Sequence, residues 1–141
     1  MDGSGRVALV TGQNKPRGVI IDFEESRLYW TCTGDNKVRS SDLQGRNIQT
    51  VVQRPSGSWT HGLALSRGRL YWSNSLTGQL ESSTKTGQDI RLLHSGEREH
   101  WLMHLGLVPR LNLPEHRINH CANRGCPGFC VLTQTSSTCV S

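Results

Sequence analysis

The sequence predicts an all-β chain: a partial propeller of two full four-stranded blades, with a leftover strand before them and a small cysteine-rich module after them. Three observations predict it. The word Arg-Leu-Tyr-Trp occurs at 27–30 and again at 69–72, and residues 27–52 lie over 69–94 without a gap, pairing Val38 with Leu80, Ser40-Ser41 with Ser82-Ser83, Gly45 with Gly87 and Ile48 with Ile90. Each copy holds four short β-leaning runs separated by turn residues, and four strands in about 42 residues is the period of a propeller blade. Finally, four of the five cysteines fall in the last twenty-one residues.

The elements follow in chain order. Residues 2–10, DGSGRVALV, lie over 44–52 and 86–94, so 1–16 is expected to be the last strand of a preceding blade. The first blade, 17–54, is expected to run through Gly18–Asp22, Arg27–Thr31, Lys37–Ser41 and Ile48–Val52. The second, 55–96, runs through Gly62–Ser66, Arg69–Ser73, Gln79–Ser83 and Ile90–His94. Glu-Glu-Ser, Gly-Asp-Asn, Gln-Gly-Arg, Arg-Gly and Thr-Gly separate the runs, and these residues favour hairpins and loops. Helical repeats of similar period are disfavoured, because β-branched residues and turn dipeptides interrupt every long window. Consecutive strand side chains point to opposite faces, so Tyr29 and Trp30, and likewise Tyr71 and Trp72, face opposite ways. A blade covered on both sides by neighbours can bury both, each removing ~150–250 Å² from water; these four aromatics are therefore read as packing residues. Residues 97–118 form a linker or a degenerate strand, with 101–108 (WLMHLGLV) as its apolar part, and 119–141 form the terminal module.

Composition narrows the function classes. With 34% hydrophobic residues and 15 glycines the chain has a thin supply for one large core, which suits a repeat array. The net charge of +5 comes from scattered Lys and Arg with no basic run longer than two, which argues against nucleic acid as a partner. No stretch approaches the ~20 apolar residues of a membrane helix, and MDGSGRVALV lacks the features of a signal peptide. Cys121, Cys126, Cys130 and Cys139 lie in a Gly- and Asn-rich segment that cannot fold on an apolar core, which points to disulfides and an oxidising compartment. Four cysteines permit three pairings.

At this point the words themselves carry a resemblance. Gly62-Leu63-Ala64-Leu65 followed by Leu70-Tyr71-Trp72-Ser73-Asn74 resembles the Tyr-Trp-Thr-Asp repeat of the low-density lipoprotein receptor family propellers, and residues 121–139 resemble the EGF-like module that follows such propellers. The resemblance implies a non-enzymatic extracellular segment that binds protein ligands, on the outer face of a membrane-anchored endocytic receptor or co-receptor. An alternative is a secreted matrix protein of nidogen type. It also implies pairing of Cys121 with Cys130 and of Cys126 with Cys139. Family propellers have six blades and a complete EGF-like module six cysteines, so the chain reads as a fragment, a shortened isoform or an incomplete gene model. The family word ends in an Asp that helps tie blades together; Cys32 and Asn74 occupy that position here, so the first blade is expected to lack the tie.

Candidate chemistry is sparse. The longest blade-to-blade loop, Gln53–His61, places Trp59 and His61 beside an innermost strand; an aromatic in a Ser/Gly-rich loop is a natural contact residue, although it can also cap the blade. His116, His120 and the cysteines lack the regular spacing of a zinc site, and His100 and His104 have no acidic ligand near them. Arg117 to His120 supply no acid for calcium before Cys121. No cofactor is expected. Ser82-Ser83-Thr84-Lys85 fits S-x-x-K and Lys85-Thr86-Gly87 fits K-T-G, but the words overlap in one hairpin, where a serine hydrolase would take them from distant elements. Cys32 is expected as a buried free thiol.

Overall fold

The structure, a computed structural model, describes residues 2–94 and the backbone of two further short strands at 129–132 and 137–140. The first sheet comprises β1 (Pro16–Asp22), β2 (Arg27–Cys32), β3 (Lys37–Asp42) and β4 (Gln49–Gln53); the second comprises β5 (Thr60–Ser66), β6 (Arg69–Asn74), β7 (Gln79–Thr84) and β8 (Arg91–His94). Each is an antiparallel meander in sequence order, and no described residue is helical. These are two propeller blades, and every strand begins and ends within two residues of its expected position.

The repeat extends to irregularities. The β1–β2 ladder slips between Pro16 and Val19, and the β5–β6 ladder slips at the equivalent place between Thr60 and Leu63. A slip of this kind leaves a backbone N–H without its ladder partner. In blade 1 the Gly18 N–H finds Thr31 Oγ1 at 2.9 Å, and in blade 2 the Gly62 N–H finds Ser73 Oγ at 2.9 Å. The hydroxyl after each Tyr-Trp pair is thus a built-in acceptor for the bulge.

The two blades pack face to face, with β5 against β1 and β2. Tyr29, Val38 and Val52 from blade 1 meet Leu63, Leu70 and Trp72 from blade 2 in one buried cluster. Tyr71, Ala64 and Leu80 form a second cluster on the opposite face of blade 2, joined by Leu93. The alternation of the strand therefore sends Trp72 back toward the preceding blade while Tyr71 faces forward, as Tyr29 faces forward in blade 1. Trp30 faces backward and donates from Nε1 to Gln13 Oε1 at 3.1 Å.

Residues 2–15 contain no strand, in contrast to the strand expected there. Their placement still follows the repeat. A Cβ at Gly87 would run into the Val51 carbonyl, and a Cβ at Gly45 would run into the Leu9 carbonyl. Both glycines adopt positive φ, +83° and +77°, so side chain and backbone conformation are excluded together. Leu9 stands to blade 1 as Val51, on β4, stands to blade 2. A strand requires a ladder partner, and β4 has β3 beside it, whereas residues 2–15 have no such neighbour among the described residues.

The strands β9 (Phe129–Leu132) and β10 (Ser137–Val140) pair antiparallel, with Cys139 opposite Cys130 in the register. Residues 97–118, Cys121, Cys126, His100, His104, His116 and His120 lie outside the described residues.

Candidate functional site

An antiparallel meander delivers alternate connections to the same end. The β2–β3 turn (33–36), the β4–β5 loop (54–59), the β6–β7 turn (75–78) and the start of β1 share one end of the two blades; the other turns share the opposite end.

Trp59 lies at the first of these ends. Its backbone has φ 41°, in the left-handed region that bulky residues avoid. Hydrogen bonds hold it there: the Trp59 N–H donates to Asn36 Oδ1 at 2.8 Å, and the Trp59 carbonyl accepts from the Ser75 N–H at 3.1 Å and from Ser75 Oγ at 3.2 Å. Its side chain is 42% exposed, against 6% for Trp30 and 0% for Trp72. Leu76, also exposed, borders the same loop beside Gly57. His61 is half-buried on β5, and its carbonyl accepts from Thr31 Oγ1 at 2.5 Å. The structure thus brings Trp59 and His61 to one blade end while Tyr29, Trp30, Tyr71 and Trp72 are buried away from it.

The charges of this end are largely spent on structure. Asp35 pairs with Arg39 at 2.5 Å and approaches Lys37 at 3.9 Å. Arg54 in the loop reaches buried Glu81 on β7, Nη2 to Oε1 at 2.5 Å and Nε to Oε2 at 3.2 Å, and Glu81 also accepts from Trp72 Nε1 at 2.9 Å. The packing tryptophan is therefore locked by an ion pair that crosses from blade 1 to blade 2. Lys15 and Arg17 are exposed.

At the opposite end Lys85 Nζ lies 2.5 Å from Asp22 Oδ2 and 3.2 Å from Glu25 Oε1, again linking the blades. The Oδ2 contact is an ion pair rather than a well-angled hydrogen bond, whereas Oδ1 accepts from the Glu24 and Glu25 N–H groups at 3.0 and 3.3 Å. Burial pushes the Asp22 carboxyl up, but Lys85 and these N–H groups outweigh it and hold Asp22 below the ordinary carboxylate range. The close contact with the Asp22 carboxylate raises Lys85, against its own desolvation. This arrangement disposes of the hydrolase-like words: Ser82 is fully buried with its Oγ accepting from Arg69, and Lys85 is committed to carboxylates of the other blade.

The expected tie at the fourth position of the repeat word takes a different form. Asn74 Oδ1 accepts from Leu76 N–H and Thr77 N–H, both at 3.1 Å, capping the turn of its own blade. Cys32 is fully buried with Sγ 3.6 Å from Gln13 Oε1, a free thiol pushed up by burial. The blades are joined instead one residue earlier, by Thr31 reaching the His61 carbonyl, and by Thr33 Oγ1 donating to the Thr60 carbonyl at 2.8 Å. Thr31, Asp22, Lys85 and the Arg54–Glu81 pair are linking residues that the sequence reading passed over; a hydroxyl at the same place in both copies was the available signal for Thr31. Among the described residues no three His, Cys, Asp or Glu side chains cluster as metal ligands, and no helix is long and apolar enough to cross a membrane.

No protein-family profile matches the chain. Individual relatives do. It is 33% identical over 138 residues to Low-density lipoprotein receptor-related protein 5 of Mus musculus, covering 93% of this chain and 8% of that one. It is 28% identical over 138 residues to Vitellogenin receptor Yl of Drosophila melanogaster, covering 95% and 7%. The chain is related to the low-density lipoprotein receptor-related receptors. It spans less than a tenth of the length of either relative. Among solved structures, the nidogen/laminin complex aligns at TM-score 0.51 and 21% identity, over 57% of this chain and 32% of that one. Virginiamycin B lyase of Staphylococcus aureus aligns at TM-score 0.59 and 15% identity, over 73% and 34%. At these identities the solved structures speak for the propeller-blade fold shared with the receptor-related repeats, and for nothing about chemistry.

Proposed function

We propose that the chain is a non-enzymatic, extracellular ligand-binding segment of a low-density lipoprotein receptor-related receptor, and that it offers the Trp59 end of its two blades to a protein partner. The carrying observation is the contrast among the tryptophans: Trp30 and Trp72 are buried, whereas Trp59 is held outward on a left-handed backbone by bonds that use only its main chain. Ordering a large apolar side chain in water returns nothing to the fold, and rigid aromatics are what protein contacts use. Receptor names among the relatives that span nearly the whole chain favour a receptor over a matrix protein of nidogen type.

Residues 17–54 and 55–96 serve as blades, 97–118 as a connector, and 119–141 as a truncated EGF-like module with Cys121 bonded to Cys130 and Cys126 to Cys139. Parent receptor and segment lie on the extracellular face of a membrane, with no nucleic acid, cofactor or metal involved. The β9–β10 hairpin supports a module at the end of the chain.

The test is selection of a random-peptide display library on the full chain, followed by rebinding of the selected clones to Trp59→Ala. Loss of most clones with an unchanged thermal melt supports the reading. Retained clones together with a lowered melt assign Trp59 to capping the blade and overturn it.

A further inference from the structure

The repeat continues upstream of the gapless stretch, across a β5–β6 turn shorter by two residues than the β1–β2 turn, and gives Trp59 a counterpart. Asn14-Lys15-Pro16-Arg17-Gly18 lies over Ser58-Trp59-Thr60-His61-Gly62, the same offset that matches β1 to β5. The structure keeps this equivalence in detail. Lys15 has φ 51° and Trp59 φ 41°, and the residue before a proline is doubly unsuited to such a backbone. The Lys15 carbonyl accepts the Thr33 N–H at 3.0 Å just as the Trp59 carbonyl accepts the Ser75 N–H at 3.1 Å. Lys15 and Trp59 therefore occupy the same place at the same end of two adjacent blades, and Arg17 and His61 occupy the next.

The chemistry of the two places differs in a useful way. In blade 2 the place holds an exposed indole, with Leu76 exposed nearby. In blade 1 it holds two cations, Lys15 and Arg17, both exposed. Among the described residues the acids of this end are paired: Asp35 with Arg39 and Lys37, and Glu81 with Arg54. An apolar contact beside free positive charge is complementary to an apolar side chain flanked by carboxylates.

We propose that this end binds an acidic peptide segment carrying an apolar or aromatic residue, the apolar group against Trp59 and Leu76 and the carboxylates against Lys15 and Arg17. The proposal rests on the ligand-binding reading given above and adds the class of ligand. The charges contribute steering and orientation, and the indole contributes the buried contact.

Three fluorescein-labelled synthetic peptides of equal length test it by anisotropy against the full chain: Asp/Glu-rich with a central Phe, Lys-rich with the same Phe, and Asp/Glu-rich with Ala in its place. The acidic Phe peptide is expected to bind tightest, with affinity that falls as salt rises. Lys15→Glu with Arg17→Glu should weaken it roughly tenfold or more, and Lys15→Gln with Arg17→Gln less, at unchanged far-UV circular dichroism. Trp59→Ala should weaken it while leaving the salt dependence in place. A Lys-rich Phe peptide that binds as well as the acidic one, still lost in Trp59→Ala, overturns the acidic preference and leaves the ligand-binding reading standing. Failure of all three peptides, together with selected display clones that ignore Trp59→Ala, overturns both.

Discussion

Blade 1 and blade 2 have the same strands, the same bulge and the same Tyr-Trp word, yet their innermost strands lead different lives. On β5, Leu63 is 5% exposed, because Tyr29 and Val38 of blade 1 cover it. On β1 the equivalent Val19 is 66% exposed and Ile21, the equivalent of Leu65, is 45% exposed. These side chains are no less β-prone or apolar than those of β5. The burial of a blade is therefore supplied by the blade before it, and the sequence of a strand states only that it is suited to being covered. Among the described residues blade 1 has the 2–15 segment on that side, held through Gln13 and through the approach of Leu9 to Gly45.

The comparison breaks most visibly at the tryptophans. Trp72→Ala removes the largest fully buried side chain, in the middle of the cluster that joins the blades, and a substitution of that kind costs about 3–5 kcal/mol. Trp30→Ala removes the same side chain from the side covered by residues 2–15 and should cost less, because a segment without a strand ladder can collapse into the space. Urea titration of both variants checks the ranking; equal losses would mean that the 2–15 segment covers Trp30 as firmly as a blade covers Trp72.

The second effect is the Asp22–Lys85 pair, which has no equivalent on the far side of blade 1 among the described residues. Asp22 is 2% exposed, and leaving a buried charge without its partner costs about 3–5 kcal/mol when burial is complete; Lys85 retains some solvent, so Lys85→Met should cost about 2–4 kcal/mol. The sign with pH follows from the lowered Asp22 carboxyl. Its contribution is fully present above its ordinary pKa of 3.8 and is lost as pH falls through the lower, folded value. Lys85 is raised above its ordinary 10.5, so its contribution is present below 10.5 and lost only as pH rises through the folded value. Stability measured at intervals from pH 2 to 8 should thus fall more steeply at the acid end for the parent chain than for Asp22→Asn.

Strand positions and turn chemistry were legible in the sequence because period-two alternation and Gly, Asn and Asp punctuation are local properties. The opposed faces of Tyr29 and Trp30 were legible for the same reason. The blade-to-blade links were not, because each joins residues distant in sequence: Thr31 to His61, Arg54 to Glu81, Asp22 to Lys85. Nothing in TKTG announces that Lys85 will meet a carboxylate of another blade. The resemblance also drew attention to the Asp position of the repeat word, whereas the hydroxyl before it carries the link. Trp59 was legible as a loop aromatic, but its left-handed backbone and its pairing with Lys15 emerge only from the hydrogen bonds.

The smallest predicted effects separate those two neighbouring positions. Thr31 Oγ1 accepts from Gly18 N–H within blade 1 and donates to the His61 carbonyl of blade 2, whereas Ser73 Oγ accepts from Gly62 N–H within its own blade. Thr31→Val keeps the shape and leaves two part-buried backbone groups unsatisfied, one in each blade, which costs about 1–3 kcal/mol; Ser73→Ala leaves one buried group and should cost less than the two together. At the next residue Asn74→Ala removes a turn cap worth about 1 kcal/mol, while Cys32→Ala removes one sulfur atom with its weak hydrogen bond to Gln13 Oε1 and should cost no more than that. The order Thr31, Ser73, Asn74, Cys32 in midpoint shift therefore distinguishes a link between blades from a cap within one. If Asn74→Ala and Cys32→Ala exceeded Thr31→Val, the tie between blades would have to be sought at the fourth position after all.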